Sequence, residues 1–126
     1  MSNPLRAYLR DLTQTLKQGD AREESFYPAL ERLLEALGPE LGHSKLDVTT
    51  LPKKTEAGNP DFRVWDGAGK IIGYVEAKKP GDNLDAVAQS EQLRRYRGTF
   101  PNVVLTDFFT FVLYREGQEI ARATLA

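Results

Sequence analysis

At Leu46 the hydrophobic period of the chain changes, and this change constrains the fold more than any other feature. Before it, Leu5, Leu9, Leu12 and Leu16 recur at helical spacing behind Pro4, a residue suited to a first helical turn, and Gly19 stops the run. A second helix is expected from Asp20 to Leu37, with Phe26, Leu30, Leu33, Leu34 and Leu37 on one stripe and Gly38-Pro39 as its stop. Beyond Leu46 the runs are short and β-rich: Leu46 to Leu51, Phe62 to Trp65 and Ile71 to Ala77, broken by Gly58-Asn59-Pro60 and by Asp66-Gly67-Ala68-Gly69. After Pro80-Gly81 the spacing predicts a helix from Leu84 to Tyr96. Strands are expected at Val103 to Thr106 and Phe108 to Tyr114, with a further one at Glu119 to Leu125. The order α-α-β-β-β-α-β-β calls for an α/β fold, a central mixed β-sheet flanked by helices.

With 126 residues and no linker, repeat or low-complexity tract, the chain reads as one domain, 1–126, with a helical part over 1–40 and a core over 41–126. No apolar run reaches the roughly 18 residues of a membrane-spanning helix, so a cytoplasmic protein is expected. The absence of cysteine excludes disulfides, thiolate metal sites and cysteine nucleophiles, and the single histidine, His43, leaves no imidazole cluster. Any metal should therefore be a hard, oxygen-bound one. The 17 Lys and Arg against 18 Asp and Glu exclude binding of nucleic acid by bulk charge, but the balance is uneven. Residues 41–80 hold seven basic and five acidic side chains, including Lys53, Lys54, Arg63, Lys78 and Lys79.

The chemistry converges in that segment. If Phe62 to Trp65 and Ile71 to Val75 form a hairpin with Trp65 opposite Ile71 or Ile72, then Asp61 falls opposite Val75 or Glu76. Alternation puts Tyr74, Glu76 and Lys78 on one face of the third strand and Val75 and Ala77 on the other. Asp61, Glu76 and Lys78 would then form one cluster. Two converging carboxylates repel, and a divalent cation relieves them; Mg²⁺ suits, with Mn²⁺ as a substitute, because it takes one or two carboxylates and keeps waters. A lysine beside them could orient or deprotonate a nucleophilic water. The plainer alternative is a turn aspartate beside a surface ion pair.

Asn59-Pro60-Asp61-Phe62 followed by Tyr74-Val75-Glu76-Ala77-Lys78 resembles the signature of the PD-(D/E)XK nuclease superfamily. The resemblance implies a restriction-endonuclease-like core in which Asp61, Glu76 and the backbone carbonyl of Ala77 bind Mg²⁺ and Lys78 assists the attacking water. It also implies an acidic residue on the preceding helix. At about 100° per residue Glu23 lies within roughly 40° of Leu30, Leu34 and Leu37, whereas Glu24 lies about 100° away, so Glu23 is the expected metal-side acid and Glu24 its reserve. Gln92-Leu93-Arg94-Arg95-Tyr96 resembles the Q-x-x-x-Y motif of the exonuclease-like branch. Gln92 is accordingly expected to support catalysis, with Tyr96, Arg94 and Lys79 as DNA contacts; Arg95 and Arg97 are further arginines on that helix.

The resemblance spans about Glu23 to Tyr114. Its texture, including Pro28-Ala29-Leu30 and Leu105-Thr106-Asp107, is similar to the N-terminal endonuclease domain of fused restriction-modification enzymes of the single-polypeptide type I and type IIG-like kinds. The expected function is an Mg²⁺-dependent DNA endonuclease domain of a longer protein. Its partners would be DNA, methyltransferase and target-recognition domains fused or docked to it, and a second copy in a transient dimer. The alternatives are a catalytically idle nuclease-like module for DNA binding or domain docking and, more remotely, an RNA-cleaving relative. The aromatic residues, Trp65 included, read as core or sheet-face residues, not base-stacking platforms.

Overall fold

The computed structural model describes residues 3–40 and 46–125. His43 and Lys45 lie outside the described residues. Two helices come first: α1 (Asn3–Lys17) and, after a 3₁₀ turn at Glu23–Phe26, α2 (Tyr27–Glu40). Then follow β1 (Asp47–Thr50), β2 (Phe62–Trp65), β3 (Ile71–Ala77), α3 (Leu84–Ala88), α4 (Glu91–Thr99), β4 (Asn102–Thr106), β5 (Thr110–Arg115) and β6 (Gln118–Thr124). The six strands lie in the order of the chain. The β3–β4 pair is parallel and every other pair antiparallel, so the α3–α4 segment is the single crossover. This is the expected α/β architecture, a mixed sheet with helices, and it is consistent with a restriction-endonuclease-like core. No helix among the described residues is long and apolar enough to cross a membrane.

Helices cover both faces. Tyr8 and Leu12 of α1 and Leu30 and Leu33 of α2 pack on Phe62, Val75, Ala77 and Phe108. On the other face Leu84, Ala88, Leu93 and Tyr96 of α3 and α4 pack on Val103, Leu105, Val112 and Tyr114. Burial of these side chains, about 1.5–3 kcal/mol each for the larger ones, holds the layers together.

Four expected boundaries are corrected by local chemistry. The second helix does not begin at Asp20: with Pro28 in the first turn of α2, the segment before it closes as a 3₁₀ turn in which the Ser25 hydroxyl accepts from the Arg22 N–H at 3.0 Å. Gly38-Pro39 does not stop the helix at Leu37: Pro39 sits inside α2, which runs through Glu40, the last residue described before Leu46. The single helix from Leu84 to Tyr96 is two helices. Ser90 takes the N-cap position of α4, its hydroxyl accepting from the Leu93 N–H at 3.3 Å, and the chain breaks there. Gln89 consequently ends α3 and does not share a stripe with Gln92. Finally, Phe108 is not in a strand: it adopts φ +77°, in a turn where Asp107 Oδ1 accepts from the Phe109 and Thr110 N–H groups at 3.1 and 2.7 Å. The turn drives the Phe108 ring into the core against Phe26, at 5.2 Å, and offers its carbonyl to the Tyr8 hydroxyl at 2.6 Å. These contacts hold a left-handed conformation that costs a non-glycine residue of order 1 kcal/mol or more.

Candidate active site

The β2–β3 hairpin sets the site. Its turn is closed by Asp66, whose N–H donates to the Lys70 carbonyl at 2.8 Å and whose carboxylate accepts from the Ala68 and Lys70 N–H groups at 2.7 and 3.0 Å. Trp65 pairs with Ile71 and Phe62 with Val75, which brings Asp61 alongside the end of β3. There the Ala77 N–H donates to Asp61 Oδ2 at 2.8 Å, so the backbone of the strand that carries Glu76 also fixes Asp61. The Lys78 N–H donates to the Thr106 carbonyl at 2.8 Å, carrying the β3–β4 pairing one residue further. Lys78 Nζ lies 3.4 Å from Glu76 Oε2. The cluster expected from alternation alone is thus assembled: Val75 and Ala77 face the α1–α2 core, and Tyr74 faces the other.

Its electrostatics are unusual. Glu76 is only 4% exposed, and its Oε1 has no hydrogen-bond partner. Burial first, and then the Asp61 charge, push its carboxyl up to about 8, against the opposing pull of Lys78. A buried carboxylate beside a second acid, with one oxygen orphaned, is held for a proton or a cation. Asp61, Glu76 and the Ala77 carbonyl are the oxygen donors this corner offers, a set that fits a hard divalent ion completed by waters.

Glu23 lies close enough for the charges of Asp61 and Lys78 to act on it; burial raises its pKa, while a hydrogen bond from the Tyr27 hydroxyl at 2.9 Å pulls the other way. Glu24 is exposed. Glu23 does not merge with the other two acids, since among the described residues no three acidic or imidazole groups gather closely enough to hold a metal by themselves. Tyr27 is the residue that sequence reasoning missed. It is buried, its ring meets Phe62 edge-on at 4.9 Å, and its own pKa is raised by burial and by Asp61 and Glu23. The four-residue spacing from Glu23 to Tyr27, one helical turn, was the available signal.

On α4, the Gln92 amide donates to the Tyr96 hydroxyl at 3.3 Å. Tyr96 is 1% exposed, and burial first, then the charges of Glu76 and Asp61, raise the pKa of its hydroxyl. Gly58 lies against it: a Cβ there would come within 3.3 Å of the Tyr96 hydroxyl, and φ is +127°. Arg95 ties down the same loop, donating from Nε to the Ala57 carbonyl at 2.7 Å. Arg97 is also committed, to the carbonyls of Ala88 and Gly117 and over the Tyr114 ring at 4.4 Å. Arg94 remains exposed and lines a hollow of about 420 Å³ with Pro101 and Glu116, not with Asp61 or Glu76. Lys79 is exposed on the rim of a 240 Å³ hollow shared with Arg22 and Glu23, beside the acids. Of the three expected DNA contacts it is the exposed one beside the acids.

The chain matches no protein-family model and no curated protein. It is similar in structure to a chain described as a cryoEM structure of a DrdV-DNA complex, with a TM-score of 0.76 and 26% identity over 96% of this chain. The match spans 12% of that chain's length.

Proposed function

We propose that this chain is a divalent-metal-dependent DNA endonuclease domain that hydrolyses phosphodiester bonds, similar to PD-(D/E)XK nucleases. The observation that carries the reading is the orphaned, buried Glu76 carboxylate, with its pKa pushed up, beside Asp61 and an ion-paired Lys78. An acid–acid–lysine corner of this kind is costly to build unless a cation is to be held there. The similarity to a protein solved in complex with DNA supports DNA as the substrate. Cleavage modules of restriction-modification enzymes combine such a corner with DNA-recognition and methyltransferase domains elsewhere in a long protein, and the 12% span is in keeping with that arrangement.

In this reading Asp61, Glu76 and the Ala77 carbonyl hold Mg²⁺, for which Mn²⁺ can substitute. The ion supplies charge neutralisation for the phosphodiester and lowers the pKa of water. Lys78 orients the attacking water and offsets the negative charge that builds on the phosphorus oxygens. Glu23, held by Tyr27, stands behind the pair and accepts hydrogen bonds from water on that side. Gln92 and Tyr96 keep the Gly58 loop, and through it Asp61, at the right depth. In-line attack leaves 5′-phosphate and 3′-hydroxyl ends, as the resemblance implies. Cutting both strands brings two copies together transiently.

Supercoiled plasmid incubated with this chain and Mg²⁺ or Mn²⁺ is expected to be nicked, with nicking abolished by Asp61→Ala and by Lys78→Ala. No nicking, together with no Asp61-dependent Mn²⁺ binding in calorimetry, would sink the reading and favour an idle nuclease-like module.

A further inference from the structure

Among the described residues two buried side-chain polar atoms lack a hydrogen-bond partner: Glu76 Oε1 and Arg63 Nε. Buried polar atoms are rarely left so, and each asks for an explanation. The site accounts for the first. The second lies on the same face of the sheet, since Arg63 pairs with Tyr74, and Tyr74 and Glu76 alternate onto one side of β3. One orphan is an acceptor and the other a donor. Two residues of strand, roughly 6.6 Å, separate the row of Asp61 and Glu76 from the row of Arg63 and Tyr74.

Arg63 is also placed unlike the other arginines near the site. Its guanidinium carbon sits 5.4 Å from the Tyr74 ring centre and 5.9 Å from that of Trp65, within the range of cation–π attraction. Both rings are anchored: Tyr74 stacks on Phe100 at 4.0 Å, and the Trp65 indole N–H donates to Thr49 Oγ1 at 3.0 Å. Of five N–H donors, the group spends one on a 3.4 Å contact to the Lys53 carbonyl, and among the described residues no carboxylate forms an ion pair with it. Among the described residues α3 and α4 make their main strand contacts with β4, and the β1–β2 end of this face is bordered by the loop that carries Lys53 and Gly58. Lys53 and Lys54 stand exposed beside it. A planar cation, braced by two rings and with unspent donors, is suited to a phosphate.

We propose that Arg63 binds a backbone phosphate of the DNA strand that crosses this face, next to the phosphodiester presented to Asp61, Glu76 and Lys78. The inference rests on the nuclease reading and adds to it the path of the substrate: past Arg63 and the neighbouring Lys53 and Lys54 towards the end of β3. The contact positions the strand and carries no sequence information.

The test is binding of a fluorescent DNA duplex by anisotropy, in a Lys78→Ala background so that nothing is cut, over about 50 to 200 mM salt. Arg63→Gln is expected to weaken binding roughly tenfold and to reduce the slope of log affinity against log salt by about 0.9. Arg63→Lys, which keeps the charge and loses the plane, should restore the salt slope and only part of the affinity. In the cleaving chain Arg63→Gln should raise KM and leave kcat little changed. Unchanged affinity and salt slope in Arg63→Gln, with a lowered melting temperature, would make Arg63 a brace of the sheet and overturn the inference alone. A parent chain without affinity for DNA would overturn this inference, whereas the nuclease reading falls only if nicking and Asp61-dependent Mn²⁺ binding are absent as well.

Discussion

The two faces of β3 follow opposite rules. One presents Val75 and Ala77 to the α1–α2 layer, a face sealed by Leu12, Leu30, Phe62 and Phe108. The other presents Tyr74 and Glu76, continued by Lys78, towards α4, a side where, among the described residues, a buried carboxylate oxygen on β3 and a buried guanidinium nitrogen on neighbouring β2 are left unpartnered. The difference shows where stability is kept and where it is given up. A strand whose inward side is densely packed can hold mutually repelling groups on its other side without unfolding. The site is thus a local deficit supported by its reverse face.

Substitutions on the two faces should have opposite consequences. Lys78→Met should lower cleavage by roughly 10² to 10⁴-fold, the usual share of a positioned proton-handling group, and leave the melting temperature nearly unchanged. Phe108→Ala on the sealed face should cost about 3–5 kcal/mol in urea unfolding, with activity per folded molecule retained. If Phe108→Ala instead left stability intact, the division between the faces would fail.

Glu76→Gln removes the buried charge itself. The folded carboxyl titrates near 8 against an ordinary 4.5, so its stabilising protonated form is fully present below about pH 4.5 and is lost as pH rises through 8. In chelator the parent chain should lose stability between roughly pH 5 and 8, by at most about 1.4 kcal/mol per pH unit. Glu76→Gln should flatten that profile and melt higher than the parent at pH 9 while being inactive. The smallest effect is expected for Tyr27→Phe: about 1 kcal/mol of stability from the lost 2.9 Å hydrogen bond, with a few-fold weaker Mn²⁺ binding in calorimetry.

Much of this was legible in the chain. The alternation of Tyr74, Glu76 and Lys78 against Val75 and Ala77, and the hairpin that sets Asp61 opposite them, follow from a period of two and a turn rich in glycine. Helix ends were less legible, because they are decided by single side chains competing for backbone groups. Ser90 divides one amphipathic pattern into two helices, and Asp107 with Thr106 turns a run of aromatics into a corner at Phe108. The roles of the arginines were hidden for another reason: Arg95 and Arg97 reach carbonyls 38 and 20 residues away, pairings that no local spacing records.

The sequential strand order sets an order of assembly. The bond that fixes Asp61 to Ala77 closes 16 residues, whereas the bond from Tyr8 to Phe108 closes 100, a difference in chain entropy of about 1.6 kcal/mol. The acids of the site can therefore meet on a short hairpin while α1, although it precedes that hairpin in the chain, still waits for the Phe108 corner to form. In pulse-labelled hydrogen exchange the amide of Ala77 should gain protection before those of α1, which makes the chemistry an early product of folding and the sealed core a late one.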